Sequence, residues 1–229
     1  MIYSRRQLLG AGAAAGLFAT AGSAQTLAEI VAGLKDPAPV PPRPAAPPVP
    51  AQPRVVVDAA IDPQLLARAR AAFDANRSRL TRTDVVGITD FSRASNEERF
   101  YLLDTQTGRV TRHFVSHGRG SDPAHSGRLQ RFSNAYGSNA TSAGAYLTGD
   151  YYYGKYGRSM RLKGLEPRND NAEGRAIVVH SAWYAEPEVL HEHGKLGRSE
   201  GCFALSHSSL QEVLARLGPG HLLYADKIA

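Results

Sequence analysis

Residues 175–205 read RAIVVHSAWYAEPEVLHEHGKLGRSEGCFAL. The stretch opens with an uninterrupted apolar run at 176–179, which is typical of a buried β-strand. His180 comes directly after this run, and Cys202 follows 22 residues later, at the end of the glycine-bearing segment 197–202. We therefore expect a histidine at the end of a rigid strand and a thiol in a later loop.

Histidine and cysteine in such places are typical of nucleophilic catalysis. A thiol attacks as the thiolate, so it needs a group that lowers its pKa or takes its proton, and His180 is suited to that role. Gly201, directly before Cys202, would allow a substrate to approach the backbone, and N–H groups here could donate to a developing oxyanion. The alternatives are a small buried cysteine and a core histidine bonded to backbone.

The amino terminus, residues 1–24, is interpreted as a secretory leader. Arg5 and Arg6 form a twin-arginine pattern, and a short apolar run and small residues follow, with possible cleavage after Ala21 or Ala24. An uncleaved anchor is the alternative. The leader predicts export to the bacterial periplasm, where cysteines are normally paired. A chain with 1 cysteine carries either an inert buried residue or a working thiol.

The next segment, residues 25–54, is expected to be a proline-rich spacer. Nine of the 14 prolines lie within 37–53, a composition that favours extended polyproline II structure. The folded domain is then predicted over 55–229. The net charge of +6 suits an anionic polymer or simply solubility, and no motif supports a nucleic-acid partner.

The pattern within 55–229 predicts a mainly β domain with peripheral helices. Asp62 and Pro63 signal a helix start, Ser208 with Gln211 resembles a capping box, and Gly218 would stop the last helix. A tyrosine-rich turn is expected to join two of the strands. The predicted helices cover 63–80, 187–193 and the residues after Ser208, and the predicted strands cover 85–91, 99–104, 109–115, 143–148, 159–165, 176–179 and 221–225.

The sequence of residues 175–205 resembles that of the YkuD-type L,D-transpeptidases, and more narrowly their murein L,D-transpeptidase catalytic branch. The similarity extends upstream through 115–121 and 141–146 and so covers about 60–226. The resemblance implies a β-sandwich-like catalytic fold, a thiol enzyme acting on peptidoglycan stem peptides, and no metal or organic cofactor. The expected reaction forms 3→3 cross-links with loss of the terminal D-alanine.

Carried over by position, Cys202 matches the family nucleophile and His180 the general base. Ser181 would orient the imidazole, and Ser199 and Gly201 match the Ser-x-Gly-Cys motif of the family. The common family motif has an arginine where this chain has Ala204. Further residues could line a substrate groove or hold a stem carboxylate: Arg198, Arg119, His117, Trp183 and Tyr184.

Other functions remain open on sequence grounds. The same thiol could serve a hydrolase, either an L,D-carboxypeptidase or an amidase, because the outcome depends on whether water or an amine reaches the thioester. A non-catalytic peptidoglycan-binding module is a third reading. A zinc hydrolase built on His191 and His193 is a distant fourth, since alternate residues on a helix face different directions. The oligomeric state is not predicted.

Overall fold

The computed structural model of the chain describes Val56–Val57 and residues 61–228. The predicted leader and the predicted spacer both lie outside these residues. Within the described part, no helix is long and apolar enough to cross a membrane.

The described residues form strands, with α-helices mainly near the two ends of the domain. Strands are β1 Val56–Val57, β2 Val85–Asp90, β3 Phe100–Asp104, β4 Arg109–His113, β5 Gly144–Gly154, β6 Gly157–Gly164, β7 Val178–Ser181, β8 Phe203–Leu205 and β9 Leu222–Asp226. The α-helices are α1 Pro63–Asn76, α2 Pro187–His193 and α3 His207–Arg216, and 3-10 turns lie at Arg77–Arg79, Arg119–Ser121 and Trp183–Ala185.

The strands form a mixed sheet of nine strands in the order β1-β4-β3-β2-β9-β5-β6-β7-β8. Among the described strands, β2–β9 and β7–β8 pair in parallel and the other neighbouring strands are antiparallel. The two ends of this order approach each other, because Ser116, just after β4, bridges Ala204 in β8, and Gly118 bridges Ser199. The sheet therefore curls back on itself, and the expectation of a mainly β, sandwich-like fold with peripheral helices is confirmed.

The curled sheet encloses one apolar core and carries a second on its other side. The larger cluster joins both ends of the sheet to α3, and it includes Phe91, Phe100, Tyr146, Phe203 and Leu214. The second cluster covers the opposite side with α1, through Leu65, Ala69, Ile88, Tyr101 and Tyr224. Residues of β7 and β8 pack into the larger cluster. The loops that begin or end at these two strands are therefore attached to fixed positions.

Two local predictions are wrong. The tyrosine-rich stretch is not a long turn: β5 runs on to Gly154 and β6 begins at Gly157, so only Lys155 and Tyr156 form the hairpin turn. The cap of the last helix is Ser206 rather than Ser208, and the Ser206 hydroxyl accepts the Ser209 N–H at 3.2 Å. That helix starts early because β8, which the sequence pattern missed, ends at Leu205.

Other boundaries agree closely with the sequence pattern. Helix α2 has the predicted limits, and the Asp62 side chain caps α1 by accepting the Gln64 N–H at 2.8 Å. The predicted first helix is shorter than expected, because it ends at Asn76 and continues only as a 3-10 turn to Arg79.

Candidate active site

Parallel pairing of β7 and β8 brings His180 and Cys202 together. The register places Val179 opposite Phe203 and His180 opposite Ala204. Successive side chains of a strand point to opposite faces, so His180 and Ala204 share the face away from the core. Cys202 directly precedes Phe203, the first residue of β8. The three-residue strand β8 is thus the element that carries the thiol to the histidine.

Both residues line one cleft of about 530 Å³. Its walls come from the β5–β6 hairpin, from the segment before β7 and from the loop before β8, through Tyr152, Tyr156, Arg175, Tyr184 and Glu200 among others. A larger groove of about 850 Å³ lies between α1 and β2–β3 and contains none of the predicted site residues. The smaller cleft is therefore the candidate active site.

Hydrogen bonding fixes which nitrogen of His180 is free. The Nδ1 atom lies 2.8 Å from the carbonyl oxygen of Ser181, and a carbonyl only accepts, so Nδ1 carries the proton. In the neutral ring, Nε2 then holds a lone pair. Burial lowers the pKa of His180 and favours this neutral form. The expected role of Ser181 in orienting the imidazole is supported through its backbone carbonyl.

The Cys202 thiol is half-buried and also neutral at rest. Its sulfur lies 3.6 Å from the carbonyl oxygen of Ala176, to which the thiol donates. Ala176 has φ +54°, a left-handed conformation that an alanine rarely adopts, and this turn aims its carbonyl at the sulfur. Burial raises the pKa of the thiol, so a neutral thiol beside a neutral imidazole is the favoured resting pair.

Gly201 is required by the protein's own packing. It has φ +117°, and a Cβ there would lie 2.7 Å from both the Ala140 carbonyl oxygen and Ile177 Cδ1. Its N–H donates to Ser199 Oγ at 3.1 Å, and that hydroxyl in turn donates to the Cys202 carbonyl at 2.7 Å. Ser199 thus braces the turn, and the Gly201 N–H is not free for an oxyanion.

His117 does not reach the cleft. It is 1% exposed and accepts a hydrogen bond at Nδ1 from Arg99 Nη2 at 2.8 Å, while its Nε2 lies 3.4 Å from Asp122 Oδ2. Burial lowers the pKa of His117 to about 3, helped by the charge of Arg99. Its carbonyl accepts the Ser199 N–H at 2.9 Å. The prediction that His117 lines the groove is wrong, since it supports the cysteine loop from beneath.

Of the other residues predicted to bind substrate, some line the cleft and one lies outside it. Tyr184 and Arg198 line the cleft, although Arg198 Nη1 already donates to the carbonyls of Asp122 and Pro123. Trp183 is 75% exposed and meets Tyr184 edge to face, outside the cleft lining. Arg198 therefore anchors a loop, and Trp183 stands apart from the pocket.

Position 204, where the common family motif has an arginine, is inaccessible to solvent. Ala204 is fully buried in β8 beneath a small apolar cluster of Ala182, Ala185 and Leu196. An arginine there would need this cover to move.

Two contacts with the reacting pair were not predicted from the sequence. Tyr156 lies on the ring of His180, and Ala176 accepts the thiol. The only sequence signal for Tyr156 was its place among closely spaced tyrosines, and its contact depends on the length of the β5–β6 hairpin. Within residues 61–228, no three His, Cys, Asp or Glu side chains are grouped to hold a metal ion.

Comparison with known proteins gives one family. The L,D-transpeptidase catalytic domain family matches residues 58–225, which includes every element of the site. The chain belongs to this family. The sequence resemblance to L,D-transpeptidases is thereby confirmed. No curated protein is similar enough in sequence to give a match.

Solved L,D-transpeptidases are similar only distantly. The structure from Mycobacterium smegmatis is 13% identical, with a TM-score of 0.39, over 62% of this chain and 58% of that one. The structure from Xylanimonas cellulosilytica is 18% identical, with a TM-score of 0.38, over 69% and 68%. The structure from Mycobacterium tuberculosis H37Rv is 16% identical, with a TM-score of 0.36, over 62% and 57%. This L,D-transpeptidase family member thus spans less than two thirds of the mycobacterial chains.

Proposed function

We propose that the protein is a cysteine-dependent acyltransferase acting on peptidoglycan stem peptides. The observation that carries this proposal is the fixed tautomer of His180, whose free Nε2 lies in the same cleft as the Cys202 thiol. Membership of the L,D-transpeptidase catalytic domain family supplies the substrate class.

The first half-reaction acylates the enzyme. His180 Nε2 takes the thiol proton as Cys202 Sγ attacks the carbonyl carbon of the third stem residue, and a C–S bond forms. The resulting oxyanion accepts from the N–H of Cys202, because the Gly201 N–H is already bonded to Ser199. Collapse breaks the C–N bond to the terminal D-alanine, whose nitrogen receives the proton from His180. A thioester on Cys202 remains.

The second half-reaction transfers the acyl group. An amine of a neighbouring stem attacks the thioester carbon while His180 takes its proton, and the sulfur leaves and is reprotonated. The product is a 3→3 cross-link. Attack by water instead gives the trimmed stem, so the choice of acceptor separates transferase from carboxypeptidase.

The pKa shifts favour deprotonation of the Cys202 thiol during the attack over a permanent thiolate–imidazolium ion pair. Burial lowers the pKa of His180 and raises that of Cys202, so both shifts disfavour thiolate with imidazolium in the resting enzyme. Proton transfer to Nε2 is then coupled to C–S bond formation. The active protonation state should persist below neutral pH, because His180 remains an acceptor down to its lowered pKa.

The proposed site of action is the bacterial periplasm. The twin-arginine pattern of residues 1–24 supports export, and the proline-rich composition of 25–54 supports a spacer between leader and catalytic domain. Replacing Arg5 and Arg6 by lysine should retain the precursor in the cytoplasm. Normal export of that variant would contradict the twin-arginine route.

Product analysis tests the activity. Residues 54–229 are incubated with disaccharide-tetrapeptide, and products are separated by chromatography and identified by mass. We expect cross-linked dimers that lack one D-alanine in the wild type, and none with Cys202→Ala or His180→Ala. Trimmed monomers alone would assign a hydrolase, and unchanged substrate with folded enzyme would contradict the proposal.

A further inference from the structure

Arg175 is a half-buried cation with only uncharged partners. Its Nη1 donates to the Ser133 carbonyl and the Ser142 hydroxyl, both at 2.8 Å. Its Nη2 donates to the Ala140 carbonyl at 2.5 Å and the Ser138 hydroxyl at 3.2 Å. Among the described residues it forms no ion pair with a carboxylate.

A guanidinium keeps its charge at any ordinary pH. A partly desolvated charge is costly unless another charge compensates it. Of the two other arginines that line the cleft, Arg119 pairs with Glu200 at 3.0 Å, whereas Arg198 donates to the backbone carbonyls of Asp122 and Pro123. A group in the cleft that is neutral at rest and becomes negative during catalysis, or an anion that a substrate brings, would therefore interact favourably with Arg175.

The nucleophile is such a group. Arg175 and Cys202 line the same cleft, and Arg175 Nη2 would lie 3.2 Å from a Cβ built on Gly201, the residue before the thiol. The Ala140 carbonyl that Nη2 binds would lie 2.7 Å from that same Cβ. The guanidinium is thus packed, with its carbonyl partner, against the backbone that presents Cys202.

We propose that Arg175 supplies the fixed positive charge of this site, stabilising the anionic form of Cys202 and the negative charge that develops on the attacked carbonyl. Its four hydrogen bonds hold the 133–142 loop against Gly201 and so position the nucleophile. This assignment rests on the proposed function for the carbonyl, but its effect on the thiol does not depend on substrate.

The assignment also accounts for Ala204. The buried face of β8 leaves no room at position 204, and the charge comes instead from Arg175, which directly precedes Ala176. The interaction has the expected sign, because Arg175 opposes the rise that burial causes in the pKa of Cys202.

Several other titratable groups face the thiol and must be separated from Arg175. Lys155 in the hairpin turn acts in the same direction as Arg175, and Glu200 acts against it. His180 is the proton acceptor. The cleft also holds Arg119, Arg198, Tyr152, Tyr156 and Tyr184.

The test is the pH dependence of Cys202 alkylation by iodoacetamide, a neutral reagent that reacts with the thiolate and needs no cell-wall substrate. The midpoint of the rate profile is measured for the wild type, Arg175→Gln and Arg175→Lys, with Arg198→Gln as a matched loss of charge in the same cleft. Circular dichroism establishes that each variant is folded.

We expect Arg175→Gln to raise the midpoint by about one pH unit and to slow alkylation near neutrality about tenfold. Arg175→Lys keeps the charge but loses the planar fork, so its midpoint should stay near the wild type while turnover of stem peptide falls. Arg198→Gln should move the midpoint less than Arg175→Gln does, because Arg175 is packed against Gly201 whereas the Arg198 guanidinium is bonded to Asp122 and Pro123.

An unchanged midpoint in folded Arg175→Gln would overturn the electrostatic role and leave only a structural one. If Arg175→Gln does not fold, Arg175→Lys still decides, because a raised midpoint with the charge retained contradicts the proposal. Failure of the stem-peptide assay with a shifted midpoint would reject the proposed function and keep the role of Arg175.

Discussion

The phenol ring of Tyr156 lies on the imidazole of His180, with ring centroids 4.3 Å apart and an angle of 19° between the planes. Tyr156 occupies the two-residue turn of the β5–β6 hairpin, so the whole hairpin must reach the end of β7 for this contact to form. The Ser181 hydroxyl ties the turn down by donating to the Tyr156 carbonyl at 3.3 Å. One side of the imidazole is thus fixed by stacking, and its Nδ1 by the Ser181 carbonyl.

Tyr156→Leu should reduce kcat about tenfold, because the imidazole loses its fixed orientation. Greater exposure of the ring should also raise the pKa of His180, which burial now lowers, so the acid limb of the rate profile should move to higher pH. Tyr156→Phe keeps the stacked ring and is the matched control. A wild-type acid limb in Tyr156→Leu would contradict this role of stacking.

Gly201→Ala should destabilise the fold by about 2–5 kcal/mol, since strain at positive φ adds to overlap with Ala140 and Ile177. Gly108→Ala is the control, because Gly108 has φ +71° but no atom within 4 Å of the added Cβ. It should cost only about 1–2 kcal/mol. Denaturant unfolding measures both, and equal losses would show that packing around Gly201 is unimportant.

Ala204→Arg, which restores the common family arginine, should destabilise by about 3–5 kcal/mol rather than improve activity. The new charge would be placed beneath Ala182, Ala185 and Leu196, which offer it no polar side chain. Ala75→Arg, on the exposed side of α1, should change stability by less than about 0.5 kcal/mol. Thermal unfolding of the two variants is the measurement, and a stable, more active Ala204→Arg would refute the account of this position.

Stability should fall as the pH drops below neutrality, in part because of His117. Its folded-state pKa of about 3 lies below the ordinary 6.5, so between these values the unfolded chain binds a proton that the folded chain does not. His117→Gln can still accept from Arg99, and it should flatten the slope of unfolding free energy by about 1.4 kcal/mol per pH unit. His191→Gln, at an exposed position, serves as control. An unaltered slope in His117→Gln would place the acid sensitivity elsewhere.

Local signals made much of the fold predictable. Asp62 before Pro63 and the spacing of Leu65 and Ala69 identify α1, and the apolar run before His180 identifies β7. These features depend on residues that are close together in the chain, so the physical cause of each element can be recognised in the sequence alone. The lone cysteine in its glycine-bearing loop and the strand-end histidine pointed to the two residues that the cleft brings together.

Contacts between distant segments could not be predicted in the same way. Strand β8 has only three residues and owes its existence to pairing with β7 and Ser116. Arg175 finds its partners between Ser133 and Ser142, which no spacing rule connects to it. The reason for Gly201 likewise lies in Ala140, far along the chain. His117 looked accessible because its loop is polar and glycine-bearing, yet the bridge between Gly118 and Ser199 buries it.

The most direct test of the central claim is intact-protein mass spectrometry of residues 54–229 after brief incubation with disaccharide-tetrapeptide, with Cys202→Ala alongside. The account predicts an adduct on the wild type equal to the substrate without its terminal D-alanine, removed by hydroxylamine and absent from the variant. An adduct that persists in Cys202→Ala, or product formation by that variant, would contradict the assignment of Cys202 as the nucleophile.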